Sequence, residues 1–196
     1  MPSETSRERL LALLAERSFR LGTFELSSGR TSDYYIDCRT TTMHAQGQAL
    51  LGPVGLDALD EAGLAPDLVG GLTMGADPIA YAIAGESWRR GSPVHAFSVR
   101  KRAKEHGRGR RIEGCFEPGA RVLVVEDVIT TGGSALQAIG EVEKEGGEVL
   151  AVLALVDRQE GGRENLEEAG THVLSLFTAA ELRRAHEASA AAGRDD

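Results

Sequence analysis

Val122-Leu123-Val124-Val125-Glu126-Asp127-Val128-Ile129-Thr130-Thr131-Gly132-Gly133-Ser134-Ala135 is the stretch on which the reading of this 196-residue chain turns. Four apolar residues, mostly β-branched, predict a buried strand. Two adjacent carboxylates, Glu126 and Asp127, follow at its end. A small Thr/Gly/Ser loop comes next, and Ser134 opens a helical run from Ala135 to Val142. Such a unit suits a phosphorylated sugar. Consecutive backbone N–H groups and the helix dipole hold a phosphate, and the carboxylates upstream hold ribose hydroxyls, directly or through Mg²⁺. The alternative is an ordinary βα turn in which Asp and Thr-Gly-Gly merely cap a helix.

Composition sets the frame around this stretch. Hydrophobic residues make up 41% and charged residues 27%, as in a globular α/β protein with a substantial core. No apolar run approaches the length that spans a membrane. The N-terminus shows no basic region followed by an apolar one, so no signal peptide and a cytoplasmic location are expected. Cys38 and Cys115 stand far apart with no metal-ligand spacing, which predicts free thiols. The net charge of −8 argues against nucleic acid as the main partner. Charge is nonetheless uneven: residues 100–111 hold seven of the 22 Lys and Arg and a single acid, Glu105.

Outward from the opening stretch, strands and helices alternate. Thr5 or Ser6 caps a first helix carrying Leu10, Leu11, Leu13 and Leu14, and Gly22 closes that unit. Short strands at Phe24–Leu26 and Tyr34–Ile36 flank a turn at Ser27–Arg30. A helix is predicted from about His44 to Glu61, and a strand from Leu68 that stops at Gly70-Gly71. A helix follows near Pro78, then a strand at Val94–Val99 and the basic segment as a loop. Val149–Val156 reads as a central parallel strand with Asp157-Arg158 at its end. A short helix at Glu164–Glu168, a strand at Val173–Phe177 and a helix at Ala179–Ala192 complete the chain, with Gly193–Asp196 frayed. The expected fold is a doubly wound, mainly parallel sheet flanked by helices. It forms one domain over 1–196, with an N-terminal appendage at 1–40 and a core at 41–192. Ligands in such sheets bind beyond the carboxyl ends of the strands. Gly70–Asp77, Glu126–Ser134 and Asp157-Arg158 all fall there.

Each of the remaining motifs has two readings. Thr73-Met74-Gly75-Ala76-Asp77-Pro78 is either a second anion loop at a helix N-terminus or a structural turn. Tyr34 and Tyr35 either cover a flat, polar heterocycle or pack a surface hairpin onto the core. Arg158 either grips a carboxylate through two parallel hydrogen bonds or pairs with Asp157 or a nearby helix. The basic run is a solvated face or a cover for a polyanion.

The Val122–Ala135 pattern resembles the 5-phosphoribosyl 1-pyrophosphate (PRPP) signature of the type I phosphoribosyltransferases. Phe24-x-Leu26-x-Ser28-Gly29-x-x-Ser32-x-Tyr34-Tyr35 resembles the hood that covers the pyrimidine in the orotate-specific members. Arg100-Lys101-x-Ala103-Lys104-Glu105-His106-Gly107, followed by Ile112-Glu113-Gly114, resembles their flexible catalytic loop at 100–114. The resemblance implies transfer of phosphoribose from PRPP to orotate, with orotidine 5′-monophosphate and pyrophosphate as products. It implies PRPP contacts from Arg100, Lys101, Lys104, His106, Thr73, Met74, Gly75 and the run Glu126, Asp127, Val128, Ile129, Thr130, Thr131, Gly132, Gly133, Ser134. Orotate would meet Thr130, Arg158, Tyr34, Tyr35 and Ser27, the last standing where some members carry a lysine. Lys104, Glu126 and Asp127 would be catalytic, with Lys104 stabilising the leaving group. Mg²⁺ would arrive with PRPP, Asp127 being its one candidate protein ligand. A homodimer that shares the loop across its interface is implied as well. A purine-salvage phosphoribosyltransferase and a non-catalytic PRPP-sensing regulator are the alternatives.

Overall fold

The computed structural model describes residues 5–25, 31–102 and 111–192. The turn Ser27–Arg30, the centre of the basic segment and the last four residues therefore lie outside the described residues. The chain opens with α1 (Ser6–Arg17), capped by Thr5, whose hydroxyl accepts from the Glu8 N–H while the Glu8 carboxylate accepts from the Thr5 N–H. A two-stranded antiparallel sheet follows, β1 (Phe19–Glu25) with β2 (Thr31–Ile36), and then α2 (Arg39–Thr42) and α3 (Ala45–Glu61). Gly22 does not close the first unit. It lies inside β1, where the pairing slips between Leu21 and Phe24.

The main sheet has six strands. They are β3 (Leu68–Leu72), β4 (His95–Val99), β5 (Ile112–Gly114), β6 (Arg121–Ile129), β7 (Glu148–Asp157) and β8 (Val173–Thr178). Their order is β5-β4-β3-β6-β7-β8, parallel throughout except for β5, which runs antiparallel to β4 at the edge. Helices α4 (Ala76–Arg90), α5 (Gly133–Lys144), α6 (Gly162–Glu168) and α7 (Ala179–Ala192) complete the chain. No helix among the described residues is long and apolar enough to cross a membrane.

The Val122–Val125 run is buried on both faces, as its composition demands. Leu123 and Val125 join the core on the side of α1, α3 and α4, whereas Val122 and Val124 join the core under α5. Two expectations about strand ends need correction. The strand does not stop at Val125: it carries Glu126 and Asp127 and runs to Ile129, because β7 keeps supplying partners, Glu126 to Ala154 and Val128 to Val156. Nor does β3 stop at its glycines. Gly70 and Gly71 lie within it, since a Cβ at either position would come 2.2 Å from the carbonyl oxygen of Phe97 or Val125 respectively. The edge strand β5 had no distinct sequence signal. It makes the basic segment an excursion between β4 and β5, whose ends meet where the Arg100 N–H donates to the Arg111 carbonyl at 2.8 Å.

Candidate active site

Strand order fixes where a ligand can enter. From β3 the chain steps one way to β4, and later returns to the other side of β3 to lay down β6, β7 and β8. The crevice between the carboxyl ends of β3 and β6 is thus the topological switch point. The β3–β6 register ends at Gly70 opposite Val124, so the next β6 residues, Glu126 and Asp127, open into that crevice. They line a cleft of about 350 Å³ with Tyr35, Asp37, Arg39, Thr73, Met74, Gly75, Lys101 and Ser134.

The surroundings of the acid pair do not support two full negative charges. Burial, reinforced by the adjacent Asp127 charge, pushes the Glu126 carboxyl up to about 8. Its Oε2 is buried with no hydrogen-bond partner among the described residues. Burial also raises Asp127, against the pull of the Val128 N–H, which donates to Oδ1 at 3.0 Å, and of Arg39. An unpartnered buried carboxylate is costly, and hydroxyl donors or a cation would relieve it. No group of three or more His, Cys, Asp or Glu among the described residues could hold a metal ion. Two carboxylates with an open side fit a hard divalent cation that brings most of its own ligands.

Beyond the pair, Thr130–Ser134 wraps a small cavity of about 90 Å³ at the start of α5. Gly132 takes φ 80° as N-cap, so the helix begins at Gly133, one residue earlier than expected. The loop is held from behind: Asn165 Nδ2 donates to the Thr131 carbonyl at 3.0 Å, and a Cβ on Gly162 would lie 2.5 Å from the Thr130 carbonyl oxygen. Val128 and Ile129 reach this cavity as strand residues, and the Ile129 side chain is buried in the core.

Across the cleft, the Thr73 loop is equally braced. Thr73 donates its N–H to Val99 and its hydroxyl to Asp77, whose other oxygen accepts from Ser98 at 2.7 Å. The Thr73–Met74 peptide is cis. Gly75 sits against the acid pair so closely that a Cβ there would come 2.5 Å from Asp127 Oδ1. Of the basic segment, Lys101 lines the cleft, whereas Arg100 Nε bonds Glu113 on β5 at 3.0 Å. Lys104 and His106 lie outside the described residues, as does Ser27.

Outside the residues that line the cleft, β2 meets the end of β7. Arg158 is buried, with its guanidinium 4.6 Å from the Tyr34 ring centre and its Nε 2.9 Å from Glu160 Oε1. Its partner is therefore Glu160, while Asp157 accepts instead from the Gln159 N–H and Arg163. Tyr34 stacks on Phe19 at 5.4 Å. Tyr35, one residue on and so on the opposite face of β2, lines the acidic cleft. Tyr35 thus lines the cleft, while Tyr34 packs between Phe19 and Arg158.

Known proteins of this shape can now be placed beside the chain. No family model matches it. It is 48% identical over 179 residues to the orotate phosphoribosyltransferase of Aquifex aeolicus, covering 90% of this chain and 97% of that protein. The chain belongs to the orotate phosphoribosyltransferase family. Among solved structures, the Mycobacterium tuberculosis H37Rv orotate phosphoribosyltransferase in complex with Fe(III) dicitrate superposes with a TM-score of 0.81 at 44% identity, over 91% of this chain and 99% of that one. The same mycobacterial enzyme in complex with PRPP gives 0.76 at 40% identity, with the same coverage.

Sequence reasoning missed several residues of this orotate phosphoribosyltransferase cleft. Asp37 and Arg39 follow the Tyr-Tyr motif, and strand alternation from Tyr35 would have put Asp37 on the cleft face. Ser32 stands in the hood motif, but its approach to Arg158 Nη2 at 3.4 Å spans 126 residues of chain, and Glu160, two residues beyond Arg158, was not singled out. Arg111 stood unremarked in the basic run. Its fork donates to the Arg100 and Lys101 carbonyls and to Glu141 on α5, tying the base of that segment to the helix that follows the Thr130–Ser134 loop.

Proposed function

We propose that this chain joins N1 of orotate to C1 of PRPP, releasing pyrophosphate and forming orotidine 5′-monophosphate in pyrimidine biosynthesis. The observation that carries the reading is the switch-point cleft itself. A buried acid pair faces the Thr73 loop across it and precedes the Thr130–Ser134 loop, and a buried arginine stacks on Tyr34 where β2 meets the end of β7.

Roles follow from chemistry. The 5′-phosphate sits on the backbone donors of Thr130–Ser134, where a phosphate gains from both N–H groups and helix dipole. Glu126 and Asp127 accept from the ribose hydroxyls and orient the ring, with the Asp127 carboxylate facing the oxocarbenium character that develops at C1. Asp127 would be the protein's contact to a Mg²⁺ ion bound with the pyrophosphate, and such an ion would supply neutralisation of leaving-group charge. Lys101, with Lys104 and His106 from the basic segment, takes up the charge that grows on the departing pyrophosphate. Arg158 has five N–H donors, of which Glu160 and Ser32 engage part, and its planar fork matches the orotate carboxylate. Orotate is already an anionic nucleophile, so no strong general base is required.

The reading includes one domain with an N-terminal hood, a cytoplasmic location and a homodimer. Met74, Tyr81 and Trp88 are large apolar groups left exposed on the Thr73 loop and α4, which supports a partner subunit covering that face. Mixing inactive Lys104→Ala chains with inactive Asp127→Ala chains tests the shared site: recovered activity is expected, and none would remove the loop exchange from the proposal. The activity itself is tested by following orotate absorbance with PRPP and Mg²⁺, against hypoxanthine, adenine and uracil. Orotate consumption is expected; turnover of a purine without orotate would overturn the assignment.

A further inference from the structure

The acidic cleft contains a cation that the mechanism above leaves unused. Arg39 follows β2 at the mouth of the cleft and lines it together with Thr73, Met74 and Gly75. We infer that Arg39 is a pyrophosphate-binding residue, an arginine held ready by Asp37 to contact the leaving group of PRPP. The inference rests on the proposed reaction and adds a residue to it.

Two independent observations point there. The first is geometric. Asp37 grips one edge of the Arg39 guanidinium, Nε to Oδ1 at 2.8 Å and Nη2 to Oδ2 at 2.9 Å, while Oδ1 also accepts the Arg39 N–H at 3.1 Å. A guanidinium has five N–H donors in a rigid fork, so a grip on one edge fixes the direction of the other. The Arg39 side chain is 51% exposed, so that edge can reach a ligand in the cleft. A donor already locked by a second residue loses little side-chain entropy when a ligand arrives.

The second observation is electrostatic. Three carboxylates, Asp37, Glu126 and Asp127, line the cleft, and the cations among the described residues lining it are Arg39 and Lys101. Arg39 already acts across the cleft, favouring the charged form of Asp127. A pyrophosphate lying between the Thr73 loop and the acid pair would meet repulsion from the carboxylates unless a cation stood on its β2 side. Arg39 is placed to be that cation. A purely structural pair would need Asp37 only as a cap on α2, with no reason to hold the guanidinium at the cleft wall.

The test separates the two ends of the substrate. Wild type, Arg39→Gln, Arg39→Lys and Asp37→Asn are titrated calorimetrically with Mg-pyrophosphate and, separately, with orotidine 5′-monophosphate, which carries ribose, 5′-phosphate and base but no pyrophosphate. For Arg39→Gln, pyrophosphate affinity and kcat/KM for PRPP should fall about 10- to 100-fold, the scale of a lost charge-assisted contact. Nucleotide affinity should stay within about twofold. Arg39→Lys, which keeps the charge and loses the fork, should fall in between, and Asp37→Asn should lose a smaller factor. Unchanged pyrophosphate affinity would overturn the inference, as would equal losses for both ligands or a loss that tracks a lowered Tm. Arg39→Lys keeps the question open to refutation if the glutamine variant fails to fold. Wild type that binds pyrophosphate yet never consumes orotate would instead strike the proposed function and leave Arg39 in place.

Discussion

The acid-pair cleft and the Arg158 cluster are built on opposite plans. The first end of the proposed site is one continuous piece of chain, Glu126–Ser134, that offers backbone donors and two carboxyl groups without enough positive charge around them to keep both ionised. The second is assembled from β2 and the residues after β7. Its arginine is buried and held in place by Glu160, Ser32 and the Tyr34 ring, which engage part of its fork. The contrast separates two ways of preparing for a ligand. The acid pair stores an unfavourable interaction that a substrate relieves, whereas Arg158 is held in a finished arrangement that the substrate must join. Substitutions should therefore act on the rate at the first end and on affinity at the second.

Asp127→Ala should have the largest effect. Removing a carboxylate that faces the charge developing at C1 is expected to lower kcat about 100- to 1000-fold, measured by orotate consumption at saturating substrates. If only KM moved, the contrast between the two ends would fail. Arg158→Ala comes next: the dissociation constant for orotate should rise about 100-fold while that for PRPP stays near wild type. Arg158→Lys should recover little of it, since a point charge cannot reproduce a bidentate fork. Smaller still is Gly75→Ala. Its Cβ would press on Asp127 Oδ1, 2.5 Å away, and displace the carboxylate rather than delete it. A kcat loss of roughly 10-fold, without loss of orotate affinity, would show that the Thr73 loop and the acid pair act as one unit.

The same contrast explains what could be read from the sequence. The first end was legible because its parts are adjacent in the chain and each has a residue type with a local reason to be there. Even so, the strand boundary was misplaced, since pairing of Glu126 with Ala154 on β7 is invisible from β6 alone. Gly70 and Gly71 looked like a stop for a similar reason. What requires them is the approach of Phe97 and Val125 from neighbouring strands. At the second end Arg158 was found by its place at a strand end, but the contacts from Glu160 and Ser32 that position it were not. The separation of Tyr34 from Tyr35 followed from strand alternation, a rule available in the sequence that the reading of a paired hood passed over. Arg39 was missed because its cleft forms only where the chain after β2 meets the Thr73 loop and the end of β6.

A last prediction tests the stored interaction itself, through stability rather than turnover. Glu126 is pushed up to about 8 in the folded chain, against an ordinary value of 4.5 when unfolded. Below about pH 4.5 the carboxyl is neutral in both states and contributes nothing to the pH dependence. Between there and pH 8 the unfolded chain releases the proton while the folded chain keeps it, so stability falls as pH rises; above 8 the loss is complete. Glu126→Gln has no proton to lose and escapes this penalty. The variant should melt close to wild type at pH 5 and higher than wild type at pH 8.5, by an amount on the order of 2–4 kcal/mol. Its activity should still be reduced, because glutamine leaves a neutral amide facing the ribose hydroxyls. Thermal melts of both proteins across that range would decide it. A Tm difference that stays constant with pH would mean that Glu126 ionises freely in the folded chain, and the acid pair would then store nothing for the substrate to release.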